Sequence, residues 1–152
     1  MRVDKASSVE IDFAPQPEIY ATFLVNIDRI GLNSPAFARI DTDTASVLDL
    51  ELPNNVGAGL QVHAGLDLLG PGGNITDDST VYRVGIHLRR VGPQKLIDVF
   101  VAPRGALFAT PAVSGIVKNV GNLRSIRIGS IVGIVRGVFD QLLVDTAAMP
   151  PL

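Results

Sequence analysis

Hydrophobic and polar residues alternate with a period of two along most of the first 100 positions of the chain. This period puts successive side chains on opposite faces of a β-strand, so that one face is buried and the other meets water. Each alternating segment predicts one strand of an antiparallel sheet, joined by turns rich in Gly, Pro and Asn. The segments lie at 8–13, 18–30, 36–40, 45–52 and 58–69.

A long hairpin is predicted around the turn sequence VGPQ at 91–94. If Arg90 pairs with Lys95, residues that lie opposite each other share one face of the sheet. One face is then apolar and belongs to the core: Tyr82, Val84, Ile86, Leu88, Ile97, Val99 and Val101. The other face is basic with one aromatic ring: Arg83, His87, Arg89, Asp98 and Phe100. Within 104–122 the pattern indicates only one further candidate strand, PAVSGIVKNV.

The segment GSIVGIVRGVFDQLL at 129–143 predicts a helix from about 126 to 144. At 100° per residue its bulky apolar side chains fall on one arc, and its glycines fall opposite with Arg136 and Asp140. Three glycines each cost about 1 kcal/mol in a helix, so tertiary packing must support it. The two charged residues argue against a membrane span.

A surface amphipathic anchor to a membrane is one interpretation of this segment. Packing within the protein leaves two further arrangements open. Either the apolar arc covers the chain's own sheet and the glycines face solvent, or a second subunit packs closely on the glycine side. We favour a second copy of the chain. The predicted oligomer interface is Gly129, Gly133, Gly137, Val135, Val138, Phe139 and Leu142.

These elements together predict an α+β fold in which a C-terminal amphipathic helix packs on an antiparallel β-sheet with long hairpins. The sheet is the chain's own or the partner's. We expect a single domain over 1–152. It is divided into an acidic β-rich half (1–79), a basic hairpin and following strand (80–122) and the helix (123–146).

Composition and charge indicate a partner. The chain is 47% hydrophobic and 18% charged, with a mean hydropathy of +0.33, so some apolar surface is expected to meet another molecule. Residues 1–79 carry four Lys/Arg against twelve Asp/Glu, whereas residues 80–152 carry nine against three. The asymmetry is typical of a polyanion partner for the basic half, or of two halves that neutralise each other.

Few residues point to catalysis. There is no Cys, and His63 and His87 lie in different predicted strands. His87 faces Asp98 in the predicted hairpin, but no motif supplies a nucleophile, so a surface pair is expected and a hydrolase is the third hypothesis. No pattern marks a metal site or a cofactor. We therefore expect that the protein is not an enzyme.

The basic face of the hairpin is the most informative group of residues. Arg83, His87 and Arg89, with Lys95 nearby and Phe100 available for stacking, could contact phosphates and an unpaired base. A wet or subunit-facing strand would show the same alternation, so that interpretation stays open beside RNA binding.

The stretch TVYRVGIHLRRVGPQKLIDVFVAP, followed by IVGIVRGVFDQLL, resembles the coat proteins of single-stranded RNA bacteriophages over roughly residues 79–145. The resemblance implies a homodimer whose sheets join edge to edge and whose C-terminal helices cross onto the partner's sheet. It also implies that Arg83, His87 and Arg89 face RNA. It places Gly129, Gly133, Gly137 and Phe139 in the dimer helix.

The predicted function is accordingly that of a self-assembling viral coat or capsid protein, which forms dimers and a shell with single-stranded RNA as a candidate partner. Another viral shell or tail protein would explain the same features. The protein would then be found in the virion after assembly in the host cytoplasm, and otherwise in the cytoplasm. The alternative is a lipid- or small apolar-ligand-binding β-domain that the C-terminal helix closes.

Overall fold

A computed structural model describes residues 2–3, 8–30, 36–44, 47–53, 59–73, 75, 80–132 and 135–151. All regular secondary structure in these residues is β-strand, and the fold is all-β. The strands are β1 (Arg2–Val3), β2 (Ser8–Gln16), β3 (Ile19–Ile30), β4 (Ala36–Thr42), β5 (Val47–Glu51), β6 (Leu60–Ala64), β7 (Asp67–Gly72), β8 (Tyr82–Val91), β9 (Gln94–Pro103), β10 (Val113–Val117), β11 (Leu123–Val132) and β12 (Val135–Asp145).

The strands form two antiparallel six-stranded sheets that pack as a jelly-roll-like sandwich. Sheet A has the order β1-β12-β3-β8-β9-β10, and sheet B has the order β2-β11-β4-β5-β6-β7. Strands from the acidic and the basic half of the sequence are neighbours in both sheets. The core lies between the sheets and is filled by the apolar side of the period-two pattern, with Phe23, Phe37 and Phe139 fully buried.

The predicted hairpin is confirmed with its register. In β8 and β9, Arg90 pairs with Lys95 and His87 pairs with Asp98, and Gly92 occupies the turn with a φ of 59°. A positive φ is costly for residues with a Cβ, which explains glycine at this position. The predicted apolar face of the hairpin lies in the core.

One predicted strand is divided in two. The alternation at 58–69 continues through the sequence, yet the chain reverses at Gly65, whose φ is 62°, to form the hairpin of β6 and β7. Leu66 lies in that turn and is fully exposed, so its match to the apolar face was coincidental.

The predicted C-terminal helix, and with it the α+β class, is wrong. Within the predicted helix, residues 123–132 form β11 in sheet B and residues 135–145 form β12 in sheet A, which are antiparallel neighbours of β4 and β3 respectively. A bulge interrupts the period-two alternation in β12, so the sequence does not show a strand pattern there. At this bulge Gln141 has a φ of 54°, and the inward side changes from Phe139 to Leu142 and Val144. The glycines and β-branched residues that weaken a helix are compatible with this bulged strand pair.

Two of the three glycines, Gly129 and Gly137, lie against the chain's own strands. A Cβ on Gly137 would collide with the backbone carbonyl of Asn26 in β3, so glycine permits the close approach of β12 to β3. Gly129 lies in β11 opposite Ser8 of β2. Gly133 lies outside the described residues, as does the side chain of Val135.

The other predicted interface residues take different positions on β12. Phe139 is in the core, Leu142 is half-buried and Val138 is 40% exposed on the outer side. A contact with a second copy stays a prediction, but a helix does not provide it. Among the described residues there is no helix that could cross a membrane.

Candidate functional site

The structure brings together most of the residues predicted to bind nucleic acid. Those on the outer face of sheet A are Arg83, His87, Arg89 and Phe100. Lys95 is not among them, since it shares the side of Arg90 and is only 4% exposed. Its ammonium group donates a hydrogen bond to the carbonyl oxygen of Pro17 at 2.9 Å.

Two segments of the chain itself cover the centre of this face. Residues 104–112 bring Phe108 over Gly85, and residues 146–151 bring Met149 to the same place. A Cβ on Gly85 would lie 2.6 Å from the Phe108 ring and 3.3 Å from the Met149 methyl carbon. Glycine at this position therefore leaves the space that the two covering segments occupy.

Arg83 is held by both covering segments. Its guanidinium carbon lies 4.2 Å from the centre of the Phe108 ring, which in turn packs against Phe100 at 5.4 Å. Its Nη2 donates to the Pro150 carbonyl at 3.0 Å, and Thr22 Oγ1 donates to the same carbonyl at 3.2 Å. A ligand would have to displace these contacts to reach the guanidinium.

The other two basic side chains on this face, His87 and Arg89, have carboxylate neighbours. His87 Nε2 lies 2.7 Å from Glu18 Oε1, and the Tyr20 ring stacks on the imidazole at 4.1 Å. This hydrogen bond with His87 lowers the pKa of Glu18. Arg89 lies 3.8 Å from Asp98. The outer face of sheet A is thus largely occupied by contacts within the chain, and an RNA contact there stays a prediction.

The outer face of sheet B carries a row of partly exposed ion pairs. Arg127 of β11 donates to Glu10 of β2 at 3.1 Å. On the neighbouring strands, Arg39 of β4 donates two hydrogen bonds, each of 2.7 Å, to the carboxylate of Asp49 on β5. These hydrogen bonds raise the pKa of Arg39. Arg127 also shows that a cation from the basic half of the sequence pairs within the fold with an acid from the other half.

The row ends at an open groove of about 680 Å³ at one side of sheet B. Its floor includes Asp49 and His63, and its walls are the β6–β7 turn and the connection 118–120. Asp67 joins the two walls, because its Oδ2 accepts a hydrogen bond from the Lys118 backbone N–H at 3.0 Å.

Several types of group converge on this groove. Asp49 and Asp67 supply acceptors, while His63 has a side chain that is 45% exposed and can donate or accept. His63 Nδ1 lies 3.6 Å from Glu51 Oε1, and burial raises the pKa of Glu51. Leu66 adds an apolar surface at the rim. The arrangement can bind a ligand that carries both hydroxyl groups and apolar patches.

The period-two alternation places the acidic and imidazole side chains of the groove on polar strand faces, but it does not show that they lie close together. In the alternating pattern, Asp49 lies on the polar side of the segment 45–52, and His63 and Asp67 lie on the polar side of the segment 58–69. Their convergence depends on the turn at Gly65 and on the connection 118–120, which have no periodic pattern. The Asp67–Lys118 contact joins residues 51 positions apart.

In the described parts of the chain, no group of three or more His, Cys, Asp or Glu residues is arranged to hold a metal ion. His87 and Asp98 do pair across the hairpin, but the imidazole contacts Glu18 and Asp98 accepts a hydrogen bond from Ser114 at 2.5 Å.

No family model and no curated protein matches this chain. Solved structures do share its fold. A tetrameric galectin from the ball sponge Cinachyrella sp. matches with a TM-score of 0.52 and 8% identity, over 91% of this chain and 99% of that chain. The LG1-3 region of the laminin α2 chain matches with a TM-score of 0.52 and 14% identity, over 91% of this chain and 30% of that chain.

A GH131 β-glucanase catalytic domain from Podospora anserina matches with a TM-score of 0.50 and 8% identity, over 89% of this chain and 60% of that chain. The present chain thus spans less than two thirds of the laminin and β-glucanase chains. At such identities the likeness concerns the β-sandwich fold alone. None of these three is an RNA-phage coat protein, and that resemblance stays a prediction.

Proposed function

We propose that this protein is a carbohydrate-binding β-sandwich domain that takes a glycan in the groove on the outer face of sheet B. The observation that carries the proposal is the convergence of Asp49, His63 and Asp67 in an open groove of about 680 Å³. Sugar hydroxyls donate and accept hydrogen bonds, and the groove offers partners of both kinds. Two proteins with the same fold are by name a galectin and a β-glucanase, which supports the proposal by analogy only.

The groove is preorganised for this task. Asp49 is fixed by two hydrogen bonds from Arg39, yet a carboxylate has about four acceptor sites, so it can still accept from a sugar hydroxyl. Asp67 is fixed by the Lys118 backbone. Because strands and a bonded turn hold these groups, little ordering entropy opposes binding.

The test is a titration of the isotope-labelled protein with a panel of neutral and acidic oligosaccharides, in which NMR chemical shifts of the protein are measured at each step. We expect saturable shifts at groove residues. Asp49→Asn replaces a carboxylate acceptor by an amide donor and His63→Ala removes the imidazole, and each should weaken binding about tenfold or more. Asp140→Asn is the matched control, because Asp140 is exposed on β12 in the other sheet. If no saccharide gives saturable shifts, or Asp49→Asn binds as well as the unchanged protein, the proposal fails.

The self-assembling virion subunit is a second proposal, which exposed apolar side chains favour. Val138 and Leu143 are 40% and 42% exposed on β12, and Ile116 is 46% exposed on β10 of the same sheet. Light scattering after size exclusion, with the 260/280 nm absorbance ratio, tests it. A dimer or shell that Val138→Lys disrupts would support assembly. A monomer without nucleic acid would contradict it.

The fold does not contain the C-terminal helix that was expected to close the domain over an apolar ligand. The segment that was to close it forms β11 and β12, one in each sheet. The space between the sheets is filled by side chains with essentially no exposure.

A further inference from the structure

A second pocket, of about 270 Å³, lies among the turns beside the groove. Its walls are the hairpin turn at 92–93, the turn at 43–44 and the connection 120–122. Val120 lines both this pocket and the groove. The two cavities are therefore separated by one stretch of backbone.

Two cations line the pocket. Lys95 is 4% exposed, and its ammonium group has three donors, of which one is directed to the Pro17 carbonyl. No carboxylate of a described residue lies within 4 Å of this ammonium group. The exposed Arg90 shares the pocket, where its Nε donates to the Gly92 carbonyl at 2.9 Å. Burial and the nearby Arg90 lower the pKa of Lys95.

Among the described residues that line the pocket, Asp43 is the one acid. Its Oδ1 accepts a hydrogen bond from the Asn122 backbone N–H at 2.8 Å, and its own N–H donates to the Asn122 carbonyl at 2.9 Å. Asp43 thus fixes the wall of the pocket. One carboxylate against two cations leaves an excess of positive charge.

We propose that this pocket binds an oxyanion, either a carboxylate or a sulfate group, between Lys95 and Arg90. A withdrawn ammonium group without a close counter-ion is unfavourable, and an oxyanion would supply the missing charge. It would also accept hydrogen bonds from the unused ammonium donors and from the guanidinium fork. The inference does not rest on glycan binding in the groove, because the pocket has its own lining residues.

Titration with sulfate and with acetate, at constant ionic strength kept by chloride, tests the pocket. We expect saturable NMR shifts at Gln94, Lys95 and Asn122. Arg90→Gln and Lys95→Met should each weaken binding about tenfold or more, as expected when a charge-assisted hydrogen bond is lost. Arg104→Gln removes an exposed cation outside the pocket and should leave binding unchanged.

Absence of saturation, or equal weakening by Arg104→Gln, would overturn the proposal. Arg90 is exposed, so Arg90→Gln keeps the test valid if Lys95→Met does not fold. A uronic acid and its neutral parent sugar identify the source of the oxyanion. Tighter binding of the uronic acid than of acetate, weakened by His63→Ala, would assign the carboxylate to a glycan that also occupies the groove. Equal binding of the uronic acid and of acetate would assign the pocket to free anions.

Discussion

The outer faces of the two sheets show the same alternating polar pattern in the sequence, but one is covered by other segments of the chain and the other stays partly exposed. On sheet A, residues 104–112 and 146–151 lie across the strands and bury polar side chains such as Thr22. On sheet B, the ion pair of Arg39 with Asp49 stays partly accessible beside the groove. Polar residues at alternate positions therefore identify an outer face of a sheet. Segments without a periodic pattern determine whether a ligand can reach that face.

The two faces also use their polar groups differently. Beneath the covering segments of sheet A, the Thr22 hydroxyl and the Arg83 guanidinium converge on one carbonyl oxygen, that of Pro150. Such buried hydrogen bonds are costly to leave unmade. The ion pairs of sheet B are partly exposed and contribute about 0–1 kcal/mol each, and the Asp49 carboxylate keeps acceptor sites that Arg39 does not use.

Gly85→Val should have the largest effect, because it fills the space under the cover of sheet A. The new side chain would meet Phe108 and Met149, and we expect a loss of about 2 kcal/mol in the free energy of unfolding. Gln61→Val places the same side chain on the outer face of sheet B and should change stability by about 0.5 kcal/mol or less. Urea denaturation measures both. Equal stability of the two variants would show that the cover of sheet A is not tightly packed.

The sequence predicts well where the pattern is local. The alternation in β3, β8 and β9 identifies the inward faces, and the VGPQ turn identifies the register in which Arg90 pairs with Lys95. Alternation fails in β12, since the bulge at Gln141 moves the inward side from odd to even positions. A helical period then fitted the apolar residues better than a strand did.

The sites show the same limit. The hairpin register correctly placed Arg83, His87 and Phe100 on one face. It could not show that Phe108 would cover Arg83 and Phe100, because the segment 104–112 has no period. The groove of sheet B is likewise assembled from residues distant in sequence, and no local pattern marks such a contact.

Thr22→Val should have an intermediate effect, confined to the cover of sheet A. It removes the hydroxyl that donates to the Pro150 carbonyl but keeps the volume, and Arg83 still donates to that carbonyl. We expect a loss of about 1 kcal/mol. The Ala147 N–H donates a hydrogen bond to Asp145 Oδ1, and hydrogen exchange of this amide should become faster if the tail detaches. Thr22→Ser retains the hydroxyl and serves as the control; slower exchange in Thr22→Val would contradict the role of this bond.

The smallest expected effect concerns the pKa values of two glutamates, Glu18 immediately before β3 of sheet A and Glu51 in β5 of sheet B. The hydrogen bond with His87 lowers the pKa of Glu18, whereas burial raises the pKa of Glu51. A lowered folded-state pKa contributes stability above the unfolded pKa, near 4.3, and this stability is lost as the pH falls through the folded pKa. A raised folded-state pKa has the opposite sign, because ionisation of Glu51 at neutral pH opposes folding.

Glu18→Gln should therefore lower the Tm at pH 7 by about 1–2 °C, and the difference should shrink as the pH falls below about 4. Glu51→Gln should raise the Tm at pH 7 by a similar amount and have less effect in acid, where Glu51 is already protonated. Thermal unfolding of both variants from pH 3 to 7 tests the pair. If both substitutions shift the Tm in the same direction, the environments of the two carboxylates are alike. The contrast between a hydrogen-bonded carboxylate beside sheet A and a desolvated carboxylate on sheet B would then be lost.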